Sequence, residues 1–299
     1  MVEKKANFIV IGAMKAATTS LYTYLKQHPD IFMTKVKEPM FFNNFNQNID
    51  YKTLGTKGKK IKTLEEYFSL FSDVENELAI GEASPSYIYN EKAPELIKEH
   101  LPDVKIITIL RQPVERAYSN YLHTKRADKE NSSSFEQSIE IEKQRIHDNW
   151  SPLYHYIEKG YYSVQLQRYY DIFPKENIKV YLFEDVVKHP KETLKDIFKF
   201  LNVDEDIEVD TSKKSNVSGT PKGVMGYILK KMRYYNLMPK FAISDYLPAF
   251  VVNLLFKSVY KKTEKLNSDL RKELTNRFYK EEINNLEKLI DRDLSSWLS

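Results

Sequence analysis

Apolar residues fall along this chain in two alternating rhythms. Short Ile-, Val- and Leu-rich runs, too brief for helices, occur at residues 7–12, 30–33, 78–81, 104–110 and 178–182, and read as strands. The third is expected to pass into a loop at Gly81. Between the runs, apolar residues return at helical spacing. Helices are expected over 18–27, 63–71, 93–100, from Pro113 to about residue 125, over 132–147, 162–172 and 190–201. Thr18 or Thr19 is a candidate cap for the first, and Thr63 with Glu66 forms a capping-box pattern. Pro113 suits a first helical turn, where a missing N–H costs little. Leu270, Leu274, Phe278, Ile283, Leu286 and Ile290 predict a terminal helix or helix pair. Residues 43–62 and 212–223 are polar and read as loops. Strands alternating with helices predict an α/β fold of three layers, a mostly parallel sheet with helices on both faces.

Composition narrows the class. The 299 residues include 41% apolar residues, enough for a sizeable core, and the net charge of +4 implies no nucleic-acid partner. Cysteine is absent, which excludes disulfides and thiolate metal sites, and the histidines show no metal spacing. The start of the chain has no apolar signal region, and no run approaches the roughly 18 apolar residues that span a bilayer. A cytoplasmic protein is expected. Residues 246–256, YLPAFVVNLLF, lie beside Lys257, Lys261 and Lys262. They suit a core helix, a homodimer face or a peripheral membrane helix.

Two segments carry chemistry. In the first, Gly12 ends a strand and is followed by Lys15, Ala16, Ala17, Thr18, Thr19 and Ser20 at a helix start. Unpaired N–H groups and the helix dipole make such a junction an anion site, P-loop-like in form. A nucleotide hydrolase or kinase, however, carries a magnesium-binding Ser or Thr directly after the loop lysine, and here that residue is Ala16. In the second, ILRQPVERAYSNYLH, Arg111 ends a buried strand, where open α/β sheets bind ligands, and Ser119 follows on the next helix. A guanidinium there suits a phosphate, although pairing with Glu115 is the competing use.

Together these segments resemble the 5′-phosphosulfate loop and the 3′-phosphate motif of sulfotransferases that use 3′-phosphoadenosine 5′-phosphosulfate (PAPS). The heparan sulfate type and its bacterial relatives are the most similar. KEPMFF, GEASPSYIYN, residues 159–186 and the ending DRDLSSWL resemble other family segments. The resemblance implies a single sulfotransferase domain over 1–299, with a less family-like helical region at about 225–265. It implies PAPS as co-substrate, no metal, and sulfuryl transfer to a carbohydrate or glycoconjugate hydroxyl or amine. Glu38 is then the general base and Lys15 stabilises the leaving phosphate. Lys15, Ala16, Ala17, Thr18, Thr19 and Ser20 hold the phosphosulfate, Arg111 and Ser119 the 3′-phosphate, and Lys222 and Gly223 close over the nucleotide. Glu38 is alternatively a surface carboxylate paired with Lys35 or Lys37. Met40 and Asn43 depart from the family pattern, as does Ala17, which replaces a loop glycine. Tyr87 stands near the nucleotide by resemblance and in the core by composition. A kinase and a non-catalytic nucleotide-binding relative are the alternatives.

Overall fold

The computed structural model describes residues 4–46, 51–53, 61–212, 219–221, 260–262 and 265–299. The chain divides into two units, Met1–Ser215 with Asn267–Ser299, and Asn216–Leu266. The first contains a five-stranded sheet of β1 (Phe8–Gly12), β2 (Ile31–Met33), β3 (Ala79–Ala83), β4 (Lys105–Leu110) and β5 (Ile178–Leu182). Its order is β2-β3-β1-β4-β5 and every pairing is parallel. All five residues of β1 are buried, as expected of a central strand covered on both faces.

Around the sheet lie α1 (Thr18–Leu25), α2 (Phe41–Asn44), α3 (Leu64–Phe68), α4 (Ala93–His100), α5 (Pro113–Arg126), α6 (Phe135–Glu140), α7 (Glu142–His147), α8 (Tyr162–Tyr170), α9 (Phe183–Lys188) and α10 (Pro190–Leu201). The C-terminal segment forms α11 (Ser268–Leu274), a π turn, α12 (Lys280–Ile290) and α13 (Ser295–Leu298). From β1 the chain moves towards β2, and from β4 towards β5. Right-handed crossovers running in opposite directions put their helices on opposite faces.

The periodicity located most of these elements, and the differences have local causes. Thr63 accepts from the Glu66 amide, and the Glu66 carboxylate accepts from the Thr63 amide, so the capping box forms. Residues 132–147 make two helices rather than one, with Ile141 between them and Ser134 capping the first through the Gln137 amide. The short helix α2 takes in residues 43 and 44, the first two of the expected loop over 43–62.

The third strand does not end at Gly81. It runs on to Ala83, because Gly81 is paired with Phe8 and the Phe8 ring fills the space of the missing side chain. A Cβ at Gly81 would lie 2.2 Å from Phe8 Cζ. Gly81→Val is therefore expected to destabilise the fold by about 3 kcal/mol, the upper range of overpacking costs. The denaturant midpoint measures this, and an unchanged midpoint would refute the close packing.

The second unit shows one antiparallel pair, β6 (Gly219–Pro221) with β7 (Tyr260–Lys262). Tyr260–Lys262 is thus strand where helix was expected. Lys222, Gly223 and residues 246–256 lie outside the described residues. Among the described residues no helix is long and apolar enough to cross a membrane.

Candidate active site

The chain leaves β1 in one direction along the sheet and β4 in the other, so the carboxyl ends of these neighbours border a crevice. Open α/β sheets bind ligands at such a switch point. The loop after β1 is stitched to β4 by the Ala13 amide, which donates to the Ile109 carbonyl at 2.7 Å. It then turns through left-handed conformations at Lys15 (φ 71°) and Ala17 (φ 66°). Each costs an L-residue about 1–2 kcal/mol, which explains why a glycine suits position 17. Ala17 is also the residue before α1, and no side chain caps that helix. Neither Thr18 nor Thr19 caps it as expected. Both lie within the first turn, and among the described residues no side chain caps it.

Lys15 stands among charges. Burial, chiefly, lowers its ammonium to about 8, and Arg126, Arg111 and Lys37 act in the same direction while Glu38 opposes them. The groups that act on Lys15 thus bring the β1 loop, the segment before α2, the end of β4 and the last turn of α5 to one place. Such a concentration of cations is costly without an anion.

Arg111 ties the two motifs together. One of its amino groups donates to the Lys15 carbonyl at 3.4 Å, and Nη2 and Nε donate to Glu115 at 3.0 and 3.3 Å. Its guanidinium lies 4.6 Å from the Phe183 ring centroid. Tyr162 donates to its carbonyl at 3.0 Å. The next residue, Gln112, caps α5 through the Glu115 amide and donates to Thr275 and the Trp297 carbonyl, anchoring the C-terminal segment beside the strand. Ser119 is half-buried on α5.

Glu38 sits in a turn with positive φ at both Glu38 (59°) and Met40 (51°). Its amide donates to the Ala83 carbonyl at 3.2 Å. Its carboxylate pairs with Lys37, while Lys35 pairs with Asp73. Phe41 and Phe42 are fully buried against Tyr67 and so fix the turn from below. Tyr87 is core: its hydroxyl accepts from the Phe42 amide at 3.3 Å, and the side chain is fully buried.

Three contributors were not found from sequence. Glu82, fully buried on β3, accepts from the Ser84 hydroxyl at 2.8 Å, and Ser84 accepts from the Met40 amide at 3.0 Å. This pair clamps the Glu38 turn to the sheet. Burial raises the Glu82 carboxyl to about 7. The third is Arg126, whose Nη1 is buried with no partner among the described residues. GEAS follows a strand directly, which marks Glu82 and Ser84 as sheet-edge residues, but Arg126 carried no signal. His123, on the same helix as Arg126, is held down to about 4 by burial and by Lys15, Arg126 and Lys129, so its ring is neutral near pH 7.

The structure therefore places Arg111 and Glu38 close enough to act on the Lys15 ammonium, beside the start of α1 at Thr18. The model of the sulfotransferase domain matches residues 5–276. The chain is 26% identical over 288 residues to the membrane-associated sulfotransferase kil1 of Dictyostelium discoideum, covering 71% of this chain and 59% of that protein. It is 25% identical over 248 residues to carbohydrate sulfotransferase 15 of Mus musculus, covering 66% and 44%. It is 27% identical over 207 residues to a bifunctional heparan sulfate N-deacetylase/N-sulfotransferase 4 of Mus musculus, covering 66% and 22%. The match thus spans less than two thirds of each of these relatives. Among solved structures, a sulfotransferase from Alicyclobacillus acidocaldarius superposes with a TM-score of 0.74 and 31% identity, over 99% of this chain and all of that one. With its parallel sheet, its loop after β1 and its strand-end arginine, the chain belongs to the sulfotransferase family.

Proposed function

We propose that this protein transfers a sulfuryl group from PAPS to a hydroxyl or amine of a saccharide or glycoconjugate by in-line displacement. The observation that carries this is the convergence of Lys15, Arg111 and Arg126 with the Glu38 carboxylate at the β1–β4 crevice. The buried Nη1 of Arg126 and the start of α1, neither of which has a side-chain partner among the described residues, fit an anionic ligand. PAPS supplies the sulfuryl group and a bisphosphate leaving group. N–H groups and hydroxyls of residues 16–20 hold the phosphosulfate, and Arg111 with Ser119 holds the 3′-phosphate. Lys222 and Gly223, outside the described residues, cover the nucleotide.

Glu38 takes the proton of the acceptor as the new S–O or S–N bond forms. As the S–O bond to the bridging oxygen breaks, negative charge grows on the departing phosphate, and the Lys15 ammonium stabilises it. Positioning and charge neutralisation dominate transfers of this kind. A saccharide acceptor is supported by relatives named as carbohydrate and heparan sulfate sulfotransferases.

The test is binding of adenosine 3′,5′-bisphosphate in the presence of a chelator. At 100 times the dissociation constant, the ligand is expected to stabilise the fold by about 2.7 kcal/mol. Absence of a thermal shift, or a requirement for ATP with magnesium, would reject the proposal. Arg111→Ala is expected to raise KM for PAPS with little change in kcat, because a contact remote from the breaking bond contributes uniform binding. A fall in kcat at unchanged KM would place Arg111 at the reacting centre.

A further inference from the structure

Between β1, which leads into the Lys15 loop, and the Glu38 turn runs a strap of backbone, residues 83–88, bonded to both. On one side it follows β1. The Ser84 amide donates to the Val10 carbonyl and the Ile88 amide to the Ile11 carbonyl, each at 3.0 Å. On the other side it holds the turn. The Ala83 carbonyl accepts from the Glu38 amide at 3.2 Å, the Ser84 hydroxyl from the Met40 amide at 3.0 Å, and the Ser86 hydroxyl from the Asn43 side-chain amide at 2.6 Å. The strand that delivers Lys15 and the turn that carries Glu38 are thus tied to one piece of chain.

Ser84, fully buried, is bonded to both sides at once, by its amide to β1 and by its side chain to the turn. A hydroxyl has one proton and two lone pairs. The Ser84 proton goes to the Glu82 carboxylate at 2.8 Å, which leaves the oxygen free to receive the Met40 amide. That amide belongs to a turn with φ of 59° at Glu38 and 51° at Met40, a left-handed conformation that L-residues avoid. Two such residues persist only where their surroundings impose the conformation. Without the Ser84 oxygen, the Met40 amide loses its acceptor and the turn relaxes, carrying the Glu38 carboxylate with it.

In an in-line displacement the base and the cation at the leaving group stand on opposite sides of the sulfur, so their separation matters to the rate. We propose that Ser84, oriented by Glu82, is a positioning residue for sulfuryl transfer, setting the distance between the Glu38 carboxylate and the Lys15 loop. This rests on Glu38 being the base, and Ser84 acts only through it.

The experiment measures initial rates with PAPS and de-N-sulfated heparan sulfate, a saccharide that offers both amines and hydroxyls, and the binding of adenosine 3′,5′-bisphosphate separately. Ser84→Ala is expected to lower kcat by about 10²-fold, the scale of a misplacement near 1 Å, while nucleotide affinity hardly changes. In a Glu38→Gln background the same substitution is expected to cost almost nothing further, because a side chain that cannot take the proton gains nothing from being well placed. A serine with a structural role alone would give equal losses in both backgrounds. An unchanged kcat in Ser84→Ala, or full additivity with Glu38→Gln, would overturn the proposal and leave Glu38 as the base. An unchanged kcat in Glu38→Gln would overturn both. Should Ser84→Ala not fold, Ser84→Cys takes its place, since a thiol nearly keeps the size but is a weak donor and acceptor. A smaller fall in kcat, again absent in the Glu38→Gln background, supports the positioning role, and an unchanged kcat refutes it.

Discussion

Glu38→Gln is expected to lower kcat by about 10²–10⁴ while leaving PAPS affinity nearly unchanged. The amide preserves the shape of the side chain but cannot accept the proton of the acceptor. The turn is held by backbone and core contacts, namely the Glu38 amide on Ala83, the Met40 amide on Ser84 and the buried Phe41 and Phe42, so the substitution leaves its geometry in place. An unchanged kcat in Glu38→Gln would move the base to His123, the imidazole near Lys15, which is lowered to about 4. Steady-state kinetics across pH, with nucleotide affinity measured separately, distinguishes the two.

Lys15→Ala is expected to depress kcat by about 10²–10³ through lost stabilisation of the departing phosphate. It also weakens PAPS binding, because the ground state already carries phosphate charge. Its pH signature is distinct. Lys15 acts as a cation, and burial with Arg126 brings its ammonium to about 8. In the free enzyme kcat/KM should therefore fall as pH rises through about 8, and Lys15→Ala should lack that fall. Arg126→Gln removes a charge that lowers Lys15, so it should shift the alkaline fall to higher pH. An alkaline fall unmoved in Arg126→Gln and retained in Lys15→Ala would assign it to another group.

Much of the site was legible because its parts are short and local. A strand, a lysine-bearing turn and a helix start lie within residues 8–25, and a strand end, an arginine and a proline-led helix within 105–126. Each depends on contacts a few residues apart, so spacing and residue type suffice. The strength of the Thr63–Glu66 box is equally local. Gly81 shows the limit: by itself it looks like a strand terminator, and only its pairing with Phe8, 73 positions earlier, turns it into a packing requirement.

The sequence by itself determined the α/β alternation and singled out the two strand-to-helix segments that carry Lys15 and Arg111, together with Glu38. What only the tertiary structure decided is how charges far apart in the chain act on one another. The lowered ammonium of Lys15 comes from burial and from Arg126, 111 positions away. The clamp on the Glu38 turn comes from Glu82 and Ser84 on another strand. The buried Arg116 and Lys159 meet only because α5 and the segment before α8 pack beneath the loop. Electrostatic energy depends on distance and on exclusion of water, and neither is written in the order of residues along the chain.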